Sequence, residues 1–205
     1  MKLIEPALDN LISLISRLPG LGPKSARRIA LYLLKNKNNL MKPLAETLSI
    51  AHSKILRCNI CGGIKSLDVS CTIQKCEYLS NSYDQLCIVE NIADMWAMEA
   101  TNIYKGHYHI LGGTLSALNG SDPATLLINS LIERVKKNNV KEVIIATSAT
   151  IEGQTTAHYI HDSLKGLKVK ITKLAHGLPV GSEIEYLDDG TLFSAFKNRV
   201  PVTND

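Results

Sequence analysis

The sequence lacks any apolar run that could cross a membrane. Its uninterrupted apolar stretches fall well short of the roughly 18 to 20 residues that a bilayer-spanning helix needs. The N-terminus carries Glu5 and Asp9 ahead of any apolar run, so it does not resemble a secretory signal peptide. We therefore expect a cytoplasmic protein that has no membrane partner.

Internal repeats, low-complexity tracts and long linkers are also missing, and the net charge is only +4 for 205 residues. A chain of this length can bury a substantial core, as one large domain or as two small ones. Its charge is uneven, because residues 1–57 contain ten lysine and arginine residues against three acids, whereas residues 58–205 contain 13 against 16. The basic N-terminal region favours a nucleic-acid site, although a solvated basic surface would give the same counts.

The stretch from Leu18 to Leu34 reads Leu-Pro-Gly-Leu-Gly-Pro-Lys-Ser-Ala-Arg-Arg-Ile-Ala-Leu-Tyr-Leu-Leu. Gly20 and Gly22 flank one apolar residue, which allows a tight turn with exposed backbone amides. Pro23 suits the first position of a following helix, where its missing N–H has no cost. Helical spacing predicts that one face of this helix is buried, with the residues Ala26, Ile29, Ala30, Leu33 and Leu34.

Lys24 and Arg28 lie four residues apart, near the positive N-terminal end of that helix. A free helix start, exposed amides and two cations together predict an anion site suited to a phosphate backbone. The stretch therefore predicts a helix-hairpin-helix that binds DNA through phosphates and reads no bases, with Gly20, Gly22, Lys24 and Arg28 as DNA-binding residues. An ordinary corner between two helices, with solvated basic residues, is the alternative.

Two further amphipathic helices flank this motif. The first begins near Pro6 and ends before Pro19, and another runs to about Arg57 after a polar break at residues 36–39. Pro43 must lie in the first turn of the latter helix, because a helix interior excludes proline. We expect residues 1–57 to form one basic, all-helical domain.

Five cysteines, an odd number with four of them clustered, indicate metal ligands rather than disulfides in a cytoplasmic protein. The cluster comprises Cys58, Cys61, Cys71 and Cys76, a Cys-x-x-Cys pair followed by a pair with four intervening residues. Four thiolates can surround one tetrahedral Zn²⁺ and leave no open position for catalysis. We expect one structural zinc in a finger over residues 58–80, with four reduced cysteines on a loop as the alternative.

From Leu86 onward, short apolar strands alternate with helical segments. Strands are predicted at residues 86–89, 108–111, 143–146 and 168–174. Helices are predicted at residues 92–101, from Asp122-Pro123 onward, and through residues 157–164. This succession predicts an α/β domain over residues 81–174, with a mostly parallel sheet and helices on both faces. We expect Cys87 to be a core residue and residues 175–205 to form a loop and a short helix.

Two acids follow the first strand of this domain. Sites in open parallel sheets lie beyond the carboxyl ends of the strands, where Glu90 stands, and Asp94 is four residues further on. The pair could hold Mg²⁺ through oxygen ligands. No acid follows the third strand before Glu152, so the carboxylates of a metal-dependent phosphoryl-transfer site are incomplete. A helix-capping acid and a solvated acid are the plainer interpretation of the pair.

Together these stretches resemble the RecR family of bacterial recombination-repair proteins along nearly the whole chain. The resemblance is carried by residues 18–28 and the cysteine cluster, then by residues 87–90, 108–113, 152–157 and 175–181. It implies a helix-hairpin-helix, a zinc finger, a Toprim α/β domain and a C-terminal oligomerisation segment over residues 175–205. Two places differ from the family pattern: the second cysteine pair is wider than Cys-x-x-Cys, and residues 117–120 read Ala-Leu-Asn-Gly instead of Pro-Leu-Asp-Gly.

The resemblance implies a non-enzymatic DNA-binding clamp and mediator that acts with RecO and RecF to load recombinase at gapped DNA. It also implies a homo-oligomer, a dimer that pairs into a four-membered ring. Lys24 and Arg28 match the DNA-contacting residues of the family, the four clustered cysteines match its zinc ligands, and Glu90 and Asp94 match its Toprim acids. We expect these acids to bind a basic partner surface. A metal-dependent Toprim enzyme acting on DNA phosphodiesters is the alternative, and a zinc-stabilised protein scaffold is a third possibility.

Overall fold

The computed structural model describes residues 5–67, 84–116 and 123–201. The chain divides into two compact units. One contains the residues up to Ile55 with a short stretch at 66–68, and the other contains Leu56–Lys65 and the rest of the chain. Among the described helices, none is both long enough and apolar enough to span a bilayer.

In the described part of the first unit there are three α-helices, α1 (Pro6–Ser16), α2 (Pro23–Lys35) and α3 (Lys42–Lys54). Helix α1 begins with proline at its first position, and the Glu5 carboxylate accepts the Leu8 N–H at 3.1 Å. Helices α1 and α2 pack together through Ile15, Ala26, Ala30 and Leu33. The predicted helical pair is therefore confirmed, except that Leu34, expected in the core, is 39% exposed.

The third helix differs from its prediction at both ends. Residues Lys37–Met41, in the predicted polar break, form a π-helical turn that continues directly into α3. Pro43 lies in the first turn of α3, as expected. The helix ends at Lys54 instead of Arg57, because Ile55–Arg57 forms strand β1, which pairs with β2 (Ile64–Ser66) in a two-stranded sheet.

The second unit is built on a four-stranded sheet. Its strands are β3 (Gln85–Val89), β4 (His107–Ile110), β5 (Glu142–Ile145) and β6 (Lys170–Lys173), and their order in the sheet is β4-β3-β5-β6. All three pairings are parallel, with Val89 opposite Ile110 and Ile88 opposite Ile145. The predicted α/β class and parallel sheet are confirmed.

Within the described residues, four helices accompany these strands: α4 (Ile92–Ala100), α5 (Ile128–Lys137), α6 (Ile151–Ser163) and α7 (Asp189–Lys197). Helix α5 was expected to begin at Asp122-Pro123, but Pro123–Thr125 is a 3₁₀ turn and Asp122 lies outside the described residues. The Leu127 N–H donates to the Leu111 carbonyl at 3.3 Å. Leu111 directly follows β4, and Leu127 is the N-cap of α5, which begins at Ile128.

Side chains alternate between the two faces of the sheet, as the 2.0-residue strand period requires. Leu86, Ile88, Val143 and Ile145 join the core that α5 and α6 cover. Cys87, Val89, Tyr108 and Ile110 face the other way, against Met95 of α4. Helices therefore cover both faces, and Cys87 is fully buried, as predicted. Burial raises the pKa of the Cys87 thiol to about 12, so it remains protonated at neutral pH.

Candidate nucleic-acid interface, metal centre and strand-end acids

The turn between α1 and α2 uses its two glycines differently. Gly20 has φ of +76°, a left-handed conformation that favours glycine, and the Leu21 N–H closes the turn on the Leu18 carbonyl at 3.1 Å. Gly22 has an ordinary φ of −91°, and a Cβ added there would meet no atom within 4 Å. The backbone conformation therefore favours glycine at position 20 but not at position 22, and there is open space around both positions.

Helix α2 begins immediately after Gly22, with Pro23 at its first position as predicted. Gly22 has no side chain that could cap the helix, and the first backbone bond of the helix runs from the Ala26 N–H to the Gly22 carbonyl at 2.9 Å. The early amides of α2 are consequently left without a side-chain cap. Together with the helix dipole, they favour an anion at this position.

Three cations lie on the exposed surface of this helix start. Lys24, Arg27 and Arg28 line a shallow depression of about 340 Å³ with Ser25 and Leu31. All three are exposed, and none forms an ion pair within the part of the chain that the structure describes. Sequence reasoning singled out Lys24 and Arg28 but missed Arg27, although its spacing of three residues from Lys24 places both on neighbouring helical positions.

The first cysteine pair forms a compact turn in the second unit. Cys58 and Cys61 are both buried, and neither is in a disulfide. Each sulfur accepts a backbone N–H: the Ile60 amide lies 3.3 Å from Cys58 Sγ, and the Gly63 amide lies 3.4 Å from Cys61 Sγ. Cys71 and Cys76 lie outside the described residues.

This pair fits half of a four-thiolate zinc site. Amide donors aimed at a sulfur stabilise the negative charge that a metal-bound thiolate carries. Burial raises the pKa of the Cys61 thiol to about 11, so a bound cation would be needed to deprotonate it at neutral pH. Within the described ranges, no three His, Cys, Asp or Glu side chains gather into a metal-binding cluster, and the other two predicted ligands fall beyond those ranges.

Glu90 lies at the carboxyl end of β3, the edge of the sheet where sequence analysis placed it. Its Oε1 accepts the backbone N–H of Ser148, which follows β5, at 2.7 Å. A Cβ at Gly153 would overlap the Ser148 carbonyl and hydroxyl and would lie 3.0 Å from Glu90 Oε1. The half-buried Glu90 carboxylate thus holds the loop between β5 and α6 in place.

Asp94 has a separate, local role. Its carboxylate accepts the Asn91 N–H at 3.1 Å, and the Asn91 side chain accepts the Asp94 N–H at 3.1 Å. This reciprocal pair is the capping box of α4. The helix-capping interpretation therefore applies to Asp94, whereas Glu90 is bonded to the protein rather than simply solvated.

Hydroxyl groups occupy the loop after β5, where a catalytic metal site would need further acids. Thr147 Oγ1 donates to the Gly153 carbonyl at 3.0 Å, and Thr150 Oγ1 accepts the Gly153 N–H at 3.1 Å as the N-cap of α6. The Ser148 and Thr150 hydroxyls lie 2.7 Å apart. Sequence reasoning noted the missing acids but not this network, which the N-cap preference of threonine could have indicated.

A buried polar pair between α5 and β4 was also missed. The Arg134 Nη1 group donates to the Tyr108 carbonyl at 2.8 Å and lies 3.2 Å from His109 Nδ1, while His109 Nε2 donates to the Leu127 carbonyl at 2.9 Å. Burial and the Arg134 charge lower the pKa of His109 to about 3, so its ring is neutral. The sequence signal was an arginine between Leu131 and Val135 on the apolar face of α5.

Three family models match successive parts of the chain. Residues 8–52 match the family model for the RecR helix-hairpin-helix, residues 84–175 match the model for the Toprim domain, and residues 177–200 match the model for the RecR C-terminal region. The recombination protein RecR of Pelagibacter ubique is 57% identical over 195 residues, which is 95% of each chain. The chain belongs to the RecR family of recombination proteins.

Other RecR proteins are similar over the same length. The recombination protein RecR of Beijerinckia indica is 50% identical over 194 residues, or 95% of each chain, and that of Maricaulis maris is 49% identical over 197 residues, or 96% of each chain. Membership in the RecR family confirms the predicted helix-hairpin-helix and Toprim fold. The four domain boundaries and the site residues derived from the sequence stay predictions.

Proposed function

We propose that this chain is a non-enzymatic DNA-binding clamp and mediator in recombinational repair, which acts with RecO and RecF to load recombinase at gapped DNA. The open start of α2 is the observation that carries the proposal. There the uncapped helix amides, the free space at Gly22 and the exposed Lys24 and Arg28 lie together. Such a site suits a phosphate of a DNA backbone and offers no group that distinguishes bases.

The DNA-binding residues in this proposal are Gly20, Gly22, Lys24 and Arg28. Gly20 turns the chain so that α2 starts at the surface, and Gly22 leaves room for a phosphate to approach the helix amides. The two basic side chains then neutralise phosphate charge, which releases counterions from DNA. Arg27 lines the same depression and belongs to this surface.

We also propose a structural Zn²⁺ on Cys58, Cys61, Cys71 and Cys76. The buried Cys58–Cys61 pair, with an amide donor on each sulfur, supports half of this ligand set. A zinc with four thiolate ligands has no open position, so its contribution is to folding.

Assembly into a homo-oligomer is supported by the C-terminal segment. Six of its large apolar side chains are each at least 63% exposed, far more than the core of the sheet: Val180, Ile184, Tyr186, Phe193, Phe196 and Val200. So many exposed apolar side chains within one short segment favour a protein interface. We propose that a second copy of the chain covers this segment, in a dimer that pairs into a four-membered ring.

Glu90 and Asp94 are assigned to partner binding in this proposal. Their hydrogen bonds to Ser148 and Asn91 fix the two carboxylates at one edge of the sheet. A fixed negative surface suits a basic partner surface such as one on RecO or RecF, where charge complementarity sets docking and specificity. The hydroxyl groups that follow β5 do not supply the further carboxylates that a metal-dependent Toprim enzyme uses.

Retention on closed DNA tests the clamp. A ring that encircles duplex DNA should remain on a closed circle after a high-salt wash and slide off the same DNA once it is linearised, because sliding needs a free end. Blocking both ends of the linear DNA should restore retention. Equal loss from circle and line, or a strictly monomeric mass at micromolar concentration with and without DNA, would contradict the clamp. Cleavage or joining of the DNA that depends on Mg²⁺ or Mn²⁺ would instead establish the enzyme.

A further inference from the structure

The turn formed by residues 58–63, here called the cysteine knuckle, is attached directly to the parallel sheet. The Ile110 N–H of edge strand β4 donates to the Cys61 carbonyl at 2.8 Å. Gly62 has φ of +77°, and a Cβ there would overlap the Ile110 carbonyl oxygen. The knuckle backbone therefore passes so close to β4 that only glycine fits at position 62.

Helix α5 supplies two side chains to the same region. Ser130 Oγ donates to the Ile60 carbonyl, in the middle of the knuckle, at 2.7 Å. Arg134, one helical turn further on, donates to the Tyr108 carbonyl at 2.8 Å and contacts His109 at 3.2 Å. Tyr108 and His109 immediately precede Ile110, so Arg134 acts on the end of β4 that holds the knuckle, whereas Ser130 bonds the knuckle itself.

The charge of Arg134 suits this position. Its side chain is only 1% exposed, and a buried guanidinium strongly favours nearby negative charge. His109 is neutral and adds no positive charge of its own. Four thiolates outweigh the two positive charges of Zn²⁺, so the proposed zinc centre is an anion that such a cation would stabilise.

We infer that Ser130 and Arg134 are positioning residues of the zinc centre: Ser130 fixes the first cysteine pair, and Arg134 supplies a buried cation that balances the thiolates. This inference rests on the proposed zinc site. Residues that orient metal ligands without binding the metal themselves typically contribute about 10- to 100-fold to metal affinity. The zinc centre and the Toprim sheet are then one cooperative unit, since α5 belongs to the core of the sheet.

The test compares two variants with matched controls on the full chain. Arg134→Met is paired with Lys136→Met, which removes an exposed charge from the same helix. Ser130→Ala is paired with Ser163→Ala, which removes an exposed hydroxyl that donates to the Tyr159 carbonyl within α6. Zinc affinity is measured by competition with a chromogenic chelator, and thermal unfolding is followed with and without zinc.

Arg134→Met should weaken zinc binding by about 10- to 100-fold, and Ser130→Ala should weaken it several-fold, while both controls match the wild type. The increase in unfolding temperature that zinc causes should shrink in both variants. Should Arg134→Met fail to fold, Ser130→Ala decides the question. Zinc affinities equal to those of the controls, or equal destabilisation with and without zinc, would overturn the inference. A wild-type chain without zinc would overturn the zinc site as well, yet would leave the DNA-binding proposal standing.

Discussion

Glu90 and Asp94 already have hydrogen-bond partners inside the protein, and this determines how their charges can be tested. Replacing either by alanine would remove a hydrogen-bond acceptor and a charge at once. At Asp94 the loss of the capping box alone is expected to cost about 1 kcal/mol of stability. Glutamine at 90 and asparagine at 94 keep an acceptor oxygen in each place and remove only the charge.

We predict that the charge-neutral pair Glu90→Gln with Asp94→Asn keeps the unfolding temperature and DNA affinity of the wild type and weakens RecO binding. The reason is that the partner surface loses its negative charge while the hydrogen bonds to Ser148 and Asn91 remain. RecO binding is measured by titration at two ionic strengths. Wild-type affinity for RecO in the neutral pair would remove the two acids from the partner surface.

At the start of α2, a substitution of Gly22 can change DNA binding without weakening the fold. Gly22 is the N-cap residue with an ordinary backbone conformation and open space around it. Serine is at least as favourable as glycine at an N-cap, because its hydroxyl accepts an N–H of the first turn. The same hydroxyl would occupy the amides that a phosphate would otherwise use.

We therefore predict that Gly22→Ser leaves stability unchanged or slightly higher and lowers DNA affinity. A loss of DNA affinity without a loss of stability distinguishes a blocked binding site from a damaged fold. Gly20→Ala is the comparison, because its φ of +76° makes alanine strained, and the fold should weaken. Thermal unfolding and a DNA titration at fixed salt concentration measure the two effects. Unchanged DNA affinity in Gly22→Ser would contradict a phosphate at the helix start.

Local patterns predicted most of the elements, and the errors lie where distant residues decide. The apolar periodicity was sufficient for α1, α2 and the four parallel strands. The end of α3 depends on the pairing between β1 and β2, two segments that are separate in the sequence. That pairing has no signal within β1 alone.

The candidate sites also combine residues with local sequence signals and residues whose role depends on distant contacts. The spacing of Lys24 and Arg28, the Cys-x-x-Cys pair and the acid after β3 are local signals, and the site roles drawn from them stay predictions. The supports of the knuckle are not local: Ser130 lies 70 positions after Ile60, which accepts its hydroxyl hydrogen bond. Arg134 reads in the sequence as one more basic residue near the end of an amphipathic helix, and its burial depends on carbonyl groups of β4.

Charge is distributed unevenly between the N-terminal region and the rest of the molecule. The formal charge of residues 1–57 is +7, against −3 for residues 58–205. DNA is expected to meet the basic helical region, whereas the acids at the sheet edge are expected to meet basic proteins. If DNA and protein partners bind these two different surfaces, the phosphate contacts must come from the helix-hairpin-helix.

The salt dependence of DNA binding reports how many phosphate contacts the helix-hairpin-helix makes. Lys24→Ala with Arg28→Ala should weaken binding to every DNA sequence about equally and flatten the plot of log affinity against log salt concentration. The expected change in slope is about 0.9 per lost contact on duplex and about 0.7 on single strands. Lys42→Ala with Lys54→Ala removes the same charge from α3 and should change the slope far less. A folded Lys24/Arg28 double variant with wild-type affinity and slope would show that these two side chains do not contact DNA phosphates.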